Sequence, residues 1–440
     1  MSDILNEPLA FVGTTDLAGI LRGKAFPTSE WASRLVQGVG WTPTNVQITC
    51  FEVLAESPYG ALGDLILVPD AETRFQLPAK GNRPALDFSL GDIGGLEGAP
   101  WELCTRSILK RALAELDAVA GLILYGAFEH EFKLTNFAAR DGDAYSFRGF
   151  RTGQDMAETL IAMMRQAGVR PDTFMKEYGP TQYEVTNAPA TGVRIADDAA
   201  ILRMLTSEAA EMHGLRASFA PILDPTNVGN GVHVHLSFRD KAGAPATWNA
   251  KDEHGLSDAA RHFIGGILAH LDQIIAILAP SDVSYLRLTP HRWSAAYNNL
   301  GYRDREAAVR ICPVTGDSDA EMARRFNFEV RACDAAASPH LALAAIIFAG
   351  VEGIRGKIEP PAVTQDDVSL WSSERLTKAG LTRLPQNLGS ALEVFEASET
   401  TSRWFGPEFK SVYCAHKRGE MACLDGMDDN AKCARYGEAY

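Results

Sequence analysis

The chain has 440 residues, 46% of them hydrophobic, and a formal net charge of -14 from 56 acidic and 42 basic side chains. This length can bury a large core and predicts two or three domains. The acidic balance argues against a nucleic-acid or anionic-membrane binder, because neutralising phosphates needs clustered Lys and Arg.

No run reaches the roughly 18 apolar residues of a membrane span. Residues 1–6 contain acidic Asp3 and lack the basic-then-apolar start of a signal or transit peptide. Seven cysteines, odd in number and without a Cys-x-x-Cys pair, predict reduced thiols in a cytoplasm and argue against zinc.

Residues 8–99 read as short β runs broken by Gly and Pro, over 9–12, 46–53 and 64–68, the last ending at Pro69-Asp70. A Gly-rich stretch, Gly94 to Pro100, precedes a helical pattern over 101–118 carried by Leu103, Ile108, Leu109, Leu113 and Leu116. The domain boundary is placed there, giving 1–99 and 100–440. Helices are predicted over 154–168, 192–214, 257–278, 338–355 and 388–403, with a surface loop over 358–388. Short strands fall between these helices without a βαβ rhythm, which predicts an α+β fold.

Four of the segments carry chemistry. Over 122–132, alternation puts Glu129 and Glu131 on one face of a strand; in isolation Glu-x-Glu is more often a solvated edge. Glu177 and Glu184 flank a Gly-Pro turn that can bring both acids to one place. In Gly229-Asn-Gly-Val-His233-Val-His235-Leu-Ser237, the two His and the Ser share a face opposite Val232, Val234, Leu236 and Phe238. His-x-His also suits a zinc hydrolase or a core histidine. Glu329 and Arg331 lie opposite Phe326, Phe328 and Val330, which alone reads as a structural ion pair. A basic run carries Arg303, Arg305 and Arg310.

Four segments with the same two-faced design make independent accident a poor account. Five carboxylates and one His form a mainly hard-oxygen set suited to Mg²⁺ or Mn²⁺ carrying phosphates. Nearby arginines would neutralise a phosphoryl group in transfer.

At these motifs the chain resembles the glutamine synthetase family, type I, over nearly its whole length. The resemblance rests on Glu129-x-Glu131-Phe132, the Glu177 to Glu184 loop, Gly229 to Ser237, Ser284-Tyr-Leu-Arg287-Leu-Thr-Pro290, Gly301-Tyr-Arg-Asp-Arg305 and Glu329-Val-Arg331. Asp334 to Pro339, Asp16 to Gly19, Arg22-Gly-Lys24 and Lys417-Arg-Gly-Glu420 extend it.

The resemblance implies an N-terminal β-grasp domain and a catalytic domain with an antiparallel half-barrel sheet and surrounding helices. Carried over, Glu131, Glu177 and Glu184 would hold one divalent ion, and Glu129, His233 and Glu329 another. Arg287 and Arg331 would hold the carboxylates of a glutamate-like substrate, with the Gly229 loop at its backbone end. His235, Ser237, Arg310 and Arg324 would face ATP, and Arg305 the transferred phosphoryl group. The resemblance also implies a dodecamer of two hexameric rings, with sites between neighbouring subunits.

Two positions depart from the family pattern. An ammonium-deprotonating Asp is replaced by Thr42, which the ring assembly would place in a neighbour's site, and a flap Glu by Trp293. Both losses remove charge from the ammonium site, so the expected reaction is ATP-dependent joining of glutamate to an organic amine. Trp293 favours an apolar or aromatic amine over a polyamine, which would want further carboxylates. The alternatives are an ammonia-using glutamine synthetase with a rearranged site, a catalytically silent relative, and a zinc amidohydrolase built on His233-x-His235. Residues 361–388 contain no Tyr, which argues against adenylylation there.

Overall fold

The computed structural model describes residues 6–81 and 83–440; Asp3 and the rest of 1–5 lie outside them. Two sheets organise the chain. The first holds β1 (Leu9–Thr15), β2 (Leu21–Pro27), β3 (Val39–Trp41), β4 (Leu65–Pro69), β5 (Phe75–Leu77) and β6 (Leu86–Gly95), in the order β2-β1-β6-β4-β3 with β5 also on β6. The central β1 and β6 run parallel and the other pairs antiparallel, a β-grasp arrangement. At the β1–β2 turn Asp16 accepts the N–H groups of Ala18 (2.9 Å) and Ile20 (2.8 Å). Gly19 follows at φ +72°, where a Cβ would sit 2.5 Å from the Ala336 carbonyl oxygen; only glycine lets the hairpin dock so closely.

The strand expected over 46–53 does not form. Pro43 opens a 3-10 turn, Pro43–Gln47, and only Ile48 and Leu54 then bridge. Thr49 closes this segment on itself, its hydroxyl accepting from Phe51 and Val53, so local side-chain bonds displace a ladder.

The second sheet holds β7 (Ile123–Thr135), β8 (Pro171–Lys176), β9 (Gln182–Asn187), β10 (Ala190–Thr191), β11 (Arg216–Ser218), β12 (Val232–Arg239), β13 (Leu300–Tyr302), β14 (Val309–Ile311) and β15 (Phe328–Cys333). Their order is β13-β14-β15-β12-β7-β9-β8, with β10 and β11 also on β7. The sheet curls into the expected half-barrel, antiparallel except for the edge pair β13 and β14.

Helices cover its apolar side. Phe128, Phe132, Val234, Leu236, Phe328 and Val330 are all buried there, in one core with Pro339–Gly356 and Asp258–Ala269. The continuous helix expected over 257–278 breaks at His270, where Asp258–Ala269 and Leu271–Leu278 meet at 78°. Both halves are buried, so hydrophobic periodicity gives no sign of the bend. The helix expected over 388–403 likewise divides at Ser398, which caps the second piece by accepting from the Thr401 N–H. Within the expected loop 358–388, Ser373–Ala379 is helical, capped by Ser372 and closed at Gly380. Among the described residues no single helix is long and apolar enough to cross a membrane.

Candidate active site

The face of the half-barrel turned away from the covering helices gathers the polar residues. Strand register puts His233 opposite Glu129, Glu131 opposite Glu184, and Glu329 opposite both His235 and Arg310. Because side chains alternate, all of these project to the same face. Glu177 joins them through the turn after β8, where its N–H donates to the Gln182 carbonyl (2.9 Å).

His233 Nδ1 lies 2.6 Å from Glu129 Oε1. Ligand atoms of Glu129, Glu184 and His233 all fall within 4.8 Å of one another. Glu131 accepts from the Gly231 N–H (2.7 Å) and the Gln182 side-chain amide (3.2 Å). Glu177 accepts from the Tyr145 hydroxyl (3.0 Å) and the Tyr178 N–H (2.9 Å). Glu329 is engaged by cations: Arg310 (2.7 Å) and Arg331 (2.6 Å) share its Oε1. His235 Nε2 approaches its Oε2 at 2.8 Å as an ion pair outside hydrogen-bond alignment.

The electrostatics divide the set. Burial, reinforced by the charges of Glu129, Glu131 and Glu177, pushes the Glu184 carboxyl up to about 10. Burial also raises Glu131 to about 7, partly offset by the Gly231 N–H. Burial would raise Glu129 and Glu329 as well, but His233 and His235 beside the first hold it well below the carboxylate range. His235 and Arg331 do the same for the second. Carboxylates that repel one another in a buried, oxygen-rich cluster fit a divalent cation. A Cβ added at Gly231 would lie 3.1 Å from His233 Nε2, 3.3 Å from Arg287 Nη1 and 3.6 Å from Glu131 Oε2, so bare backbone keeps this centre open.

Two openings flank the cluster. A cavity of about 360 Å³ is lined by Glu129, His235, Ser237, Arg324, Asn327 and the backbone of Gly126. On the other side, Glu131, Glu177, Tyr178, Gly229, Arg287 and Trp293 line a narrow cleft. Arg287 is buried; its Nη2 donates to the Cys333 carbonyl (2.6 Å) while its Nε has no partner. Arg305 is exposed, and its carbonyl accepts from Arg331 Nε (2.9 Å).

Thr42 stands apart. It precedes the 3-10 turn of the N-terminal sheet, its hydroxyl meets Thr44 (3.5 Å), and it lines neither opening.

Several neighbours escaped the sequence reading. Gln182, inside the Glu177 to Glu184 loop, ties Glu131 to the Gly229 carbonyl (2.8 Å) and Asn230 (3.0 Å). Tyr178 stands edge-on to Trp293, with ring centroids 4.9 Å apart. Cys312 Sγ lies 3.8 Å from His235 Nδ1. Only Gln182 and Tyr178 carried a signal, by lying within a quoted motif.

Comparison with known proteins adds two family matches: "Glutamine synthetase, catalytic domain" over residues 102–436 and "Glutamine synthetase N-terminal domain" over residues 6–101. The chain is 32% identical to gamma-glutamylpolyamine synthetase GlnA3 of Streptomyces coelicolor, covering 98% of this chain and 93% of that protein. It is 26% identical to glutamate--isopropylamine ligase of a Pseudomonas species, covering 97% and 94%. A solved structure described as a novel glutamine synthase homolog superposes with a TM-score of 0.91 at 38% identity, covering all of both chains. A GmaS/ADP complex superposes with a TM-score of 0.81 at 27% identity, over 96% of this chain and 94% of the other.

Proposed function

The chain belongs to the glutamine synthetase family of ATP-dependent carbon–nitrogen ligases, and from that premise we propose that it joins glutamate to an organic amine through a γ-glutamyl phosphate. The observation that carries this reading is the convergence of the acid and imidazole cluster between two different openings. One, of about 360 Å³, is lined by His235, Ser237 and Arg324; the other is narrow and walled by Trp293 and Tyr178.

Glu131, Glu177 and Glu184 would hold one divalent ion, Mg²⁺ or Mn²⁺, and Glu129, His233 and Glu329 a second. Glu184, close to Glu129 and His233, stands between the two groups. Bound there, the ions would offset the charge that ATP and glutamate bring together.

His235, Ser237, Arg310 and Arg324 would face ATP, and Arg305 would meet the phosphoryl group as it transfers. Arg287 and Arg331, with the Gly229 loop, would orient glutamate so that its γ-carboxylate oxygen attacks the terminal phosphorus and ADP leaves. A carboxylate is a poor electrophile; its acyl phosphate is not, and the lone pair of a neutral amine then attacks the carbonyl carbon, phosphate leaves with the C–O bond, and the nitrogen gives up one proton to solvent. Trp293 and Thr42 would supply no carboxylate to gather ammonium, so the acceptor is an amine with an apolar or aromatic body.

A second reading, a polyamine acceptor, draws on a cavity of about 430 Å³ beside the 290–293 loop, lined by Asp304, Glu306, Asp366 and Asp367. The 32% identical polyamine-acting relative favours it too. Phosphate release from ATP with L-glutamate, across ammonium, alkylamines, polyamines, ethanolamine and anilines, decides between the two. Glu131→Ala serves as control and is expected to lose activity. Turnover of ammonium equal to that of every amine would overturn the amine reading, and no turnover at all would leave a catalytically silent relative.

A further inference from the structure

The loop that carries Trp293 is held in an unusual way. His291 and Trp293 both have positive φ, 65° and 51°, a region that bulky residues rarely enter unless their surroundings fix them there. The N–H groups of both residues go to one side chain: Glu306 Oε2 accepts the His291 N–H (3.0 Å) and Glu306 Oε1 the Trp293 N–H (3.1 Å), while the His291 ring meets Asp367 (2.8 Å). Asp304 steadies Glu306 in turn, accepting its N–H (2.9 Å). Between the two strained residues, Arg292 donates to the Asn227 (2.6 Å) and Pro225 (2.8 Å) carbonyls. Arg331 Nη2 reaches the Trp293 carbonyl (3.3 Å). Pinned in this way, the half-exposed indole meets the half-exposed Tyr178 ring edge-on, and both rings wall the cleft that holds Glu131, Glu177 and Arg287.

We propose that Glu306 is a positioning residue that sets acceptor specificity, holding Trp293 against Tyr178 as an aromatic wall for the carbon skeleton of a primary amine. This rests on the amine-ligase reading above. Neither ring is a nucleophile or a base; the wall adds apolar and cation–π contact to an alkylammonium or aryl amine and gives nothing comparable to ammonium. The two carboxylate oxygens are needed together, since each serves a different N–H of the loop.

The test is steady-state kinetics with L-glutamate, ATP and four acceptors: propylamine, benzylamine, putrescine and ammonium. Glu306→Gln, whose amide nitrogen cannot accept an N–H, is expected to raise the amine KM about tenfold while the KM for ATP stays within about twofold. Glu306→Asp, which keeps two acceptors, is expected to restore part of the loss. Trp293→Gly suits the backbone angle and removes the indole; adding Glu306→Gln to it is expected to raise the amine KM no further, because the two act through one contact. An unchanged amine KM in Glu306→Gln, or effects that multiply in the double variant, overturns the proposal. Equal use of ammonium and amines by the unaltered enzyme would instead refute the underlying reading, whatever Glu306 does.

Discussion

Glu184 and Glu131 are the carboxyls of the cluster that burial and neighbouring charge raise. Burial and neighbouring carboxylates push Glu184 up to about 10 and Glu131 to about 7, so both favour the protonated form more than a free carboxyl does. Binding Mg²⁺ at pH 7 is therefore expected to release protons, measurable as a dependence of binding heat on buffer ionisation enthalpy. The sign for stability follows from the same shift. The folded-state value lies above the unfolded one of about 4.3, so the contribution is complete below that pH and is lost as pH rises towards about 10. The Tm of chelator-treated protein is expected to fall between about pH 5 and pH 9, and Mg²⁺ to reduce the fall. At the cleft, Trp293→Glu returns a carboxylate to the acceptor side; ammonium turnover is expected to rise at least about tenfold and amine turnover to drop.

Strands and helices record how one face was specified and how breaks were hidden. Alternation in β7, β12 and β15 was readable because apolar and polar side chains take turns along each strand, and it put Glu129, Glu131, His233, His235, Glu329 and Arg331 on one face of the sheet. The bend at His270 and the split at Ser398 were not readable, since apolar side chains continue through both and only tertiary packing selects the angle. Gly126 offers a test at this scale. A Cβ there would stand 2.3 Å from the His235 carbonyl oxygen on β12 and 2.9 Å from Leu236 Cδ2. Gly126→Val is expected to part β7 from β12, costing about 1–3 kcal/mol in urea unfolding. A raised KM for ATP is expected with it, since Gly126 lines the same cavity as His235 and Ser237.

At the scale of the molecule, the net charge of -14 coexists with a focused set of arginines at the site. Arg287, Arg310 and Arg331 are all buried, so their charge is not offered to a general polyanion surface. Thr42, which lines neither opening within one chain, would meet an acceptor only in an assembly that brings the N-terminal sheet of one subunit to the half-barrel of the next. Light scattering is expected to find a dodecamer, and Thr42→Trp to change the amine KM while leaving that for ATP within about twofold. A fully active monomer would overturn this arrangement.

The sequence by itself determined a metal- and phosphate-type residue set, and the resemblance of its motifs to the glutamine synthetase family implied the reaction class. Metal-type ligands on alternating strands and a run of arginines are local patterns, fixed by side-chain period and residue chemistry, and they remain legible in one dimension. Only the tertiary structure decided how the cluster is grouped, because which oxygens approach which depends on strand register across residues far apart in the chain. It drew Glu184 towards Glu129 and His233, turned Glu329 to Arg310, Arg331 and His235, and set Tyr178 against Trp293. The hold of Glu306 on the backbone of His291 and Trp293 could not be read in advance. It comes from two strained peptide groups and one carboxylate meeting in space, and no sequence pattern marks that meeting.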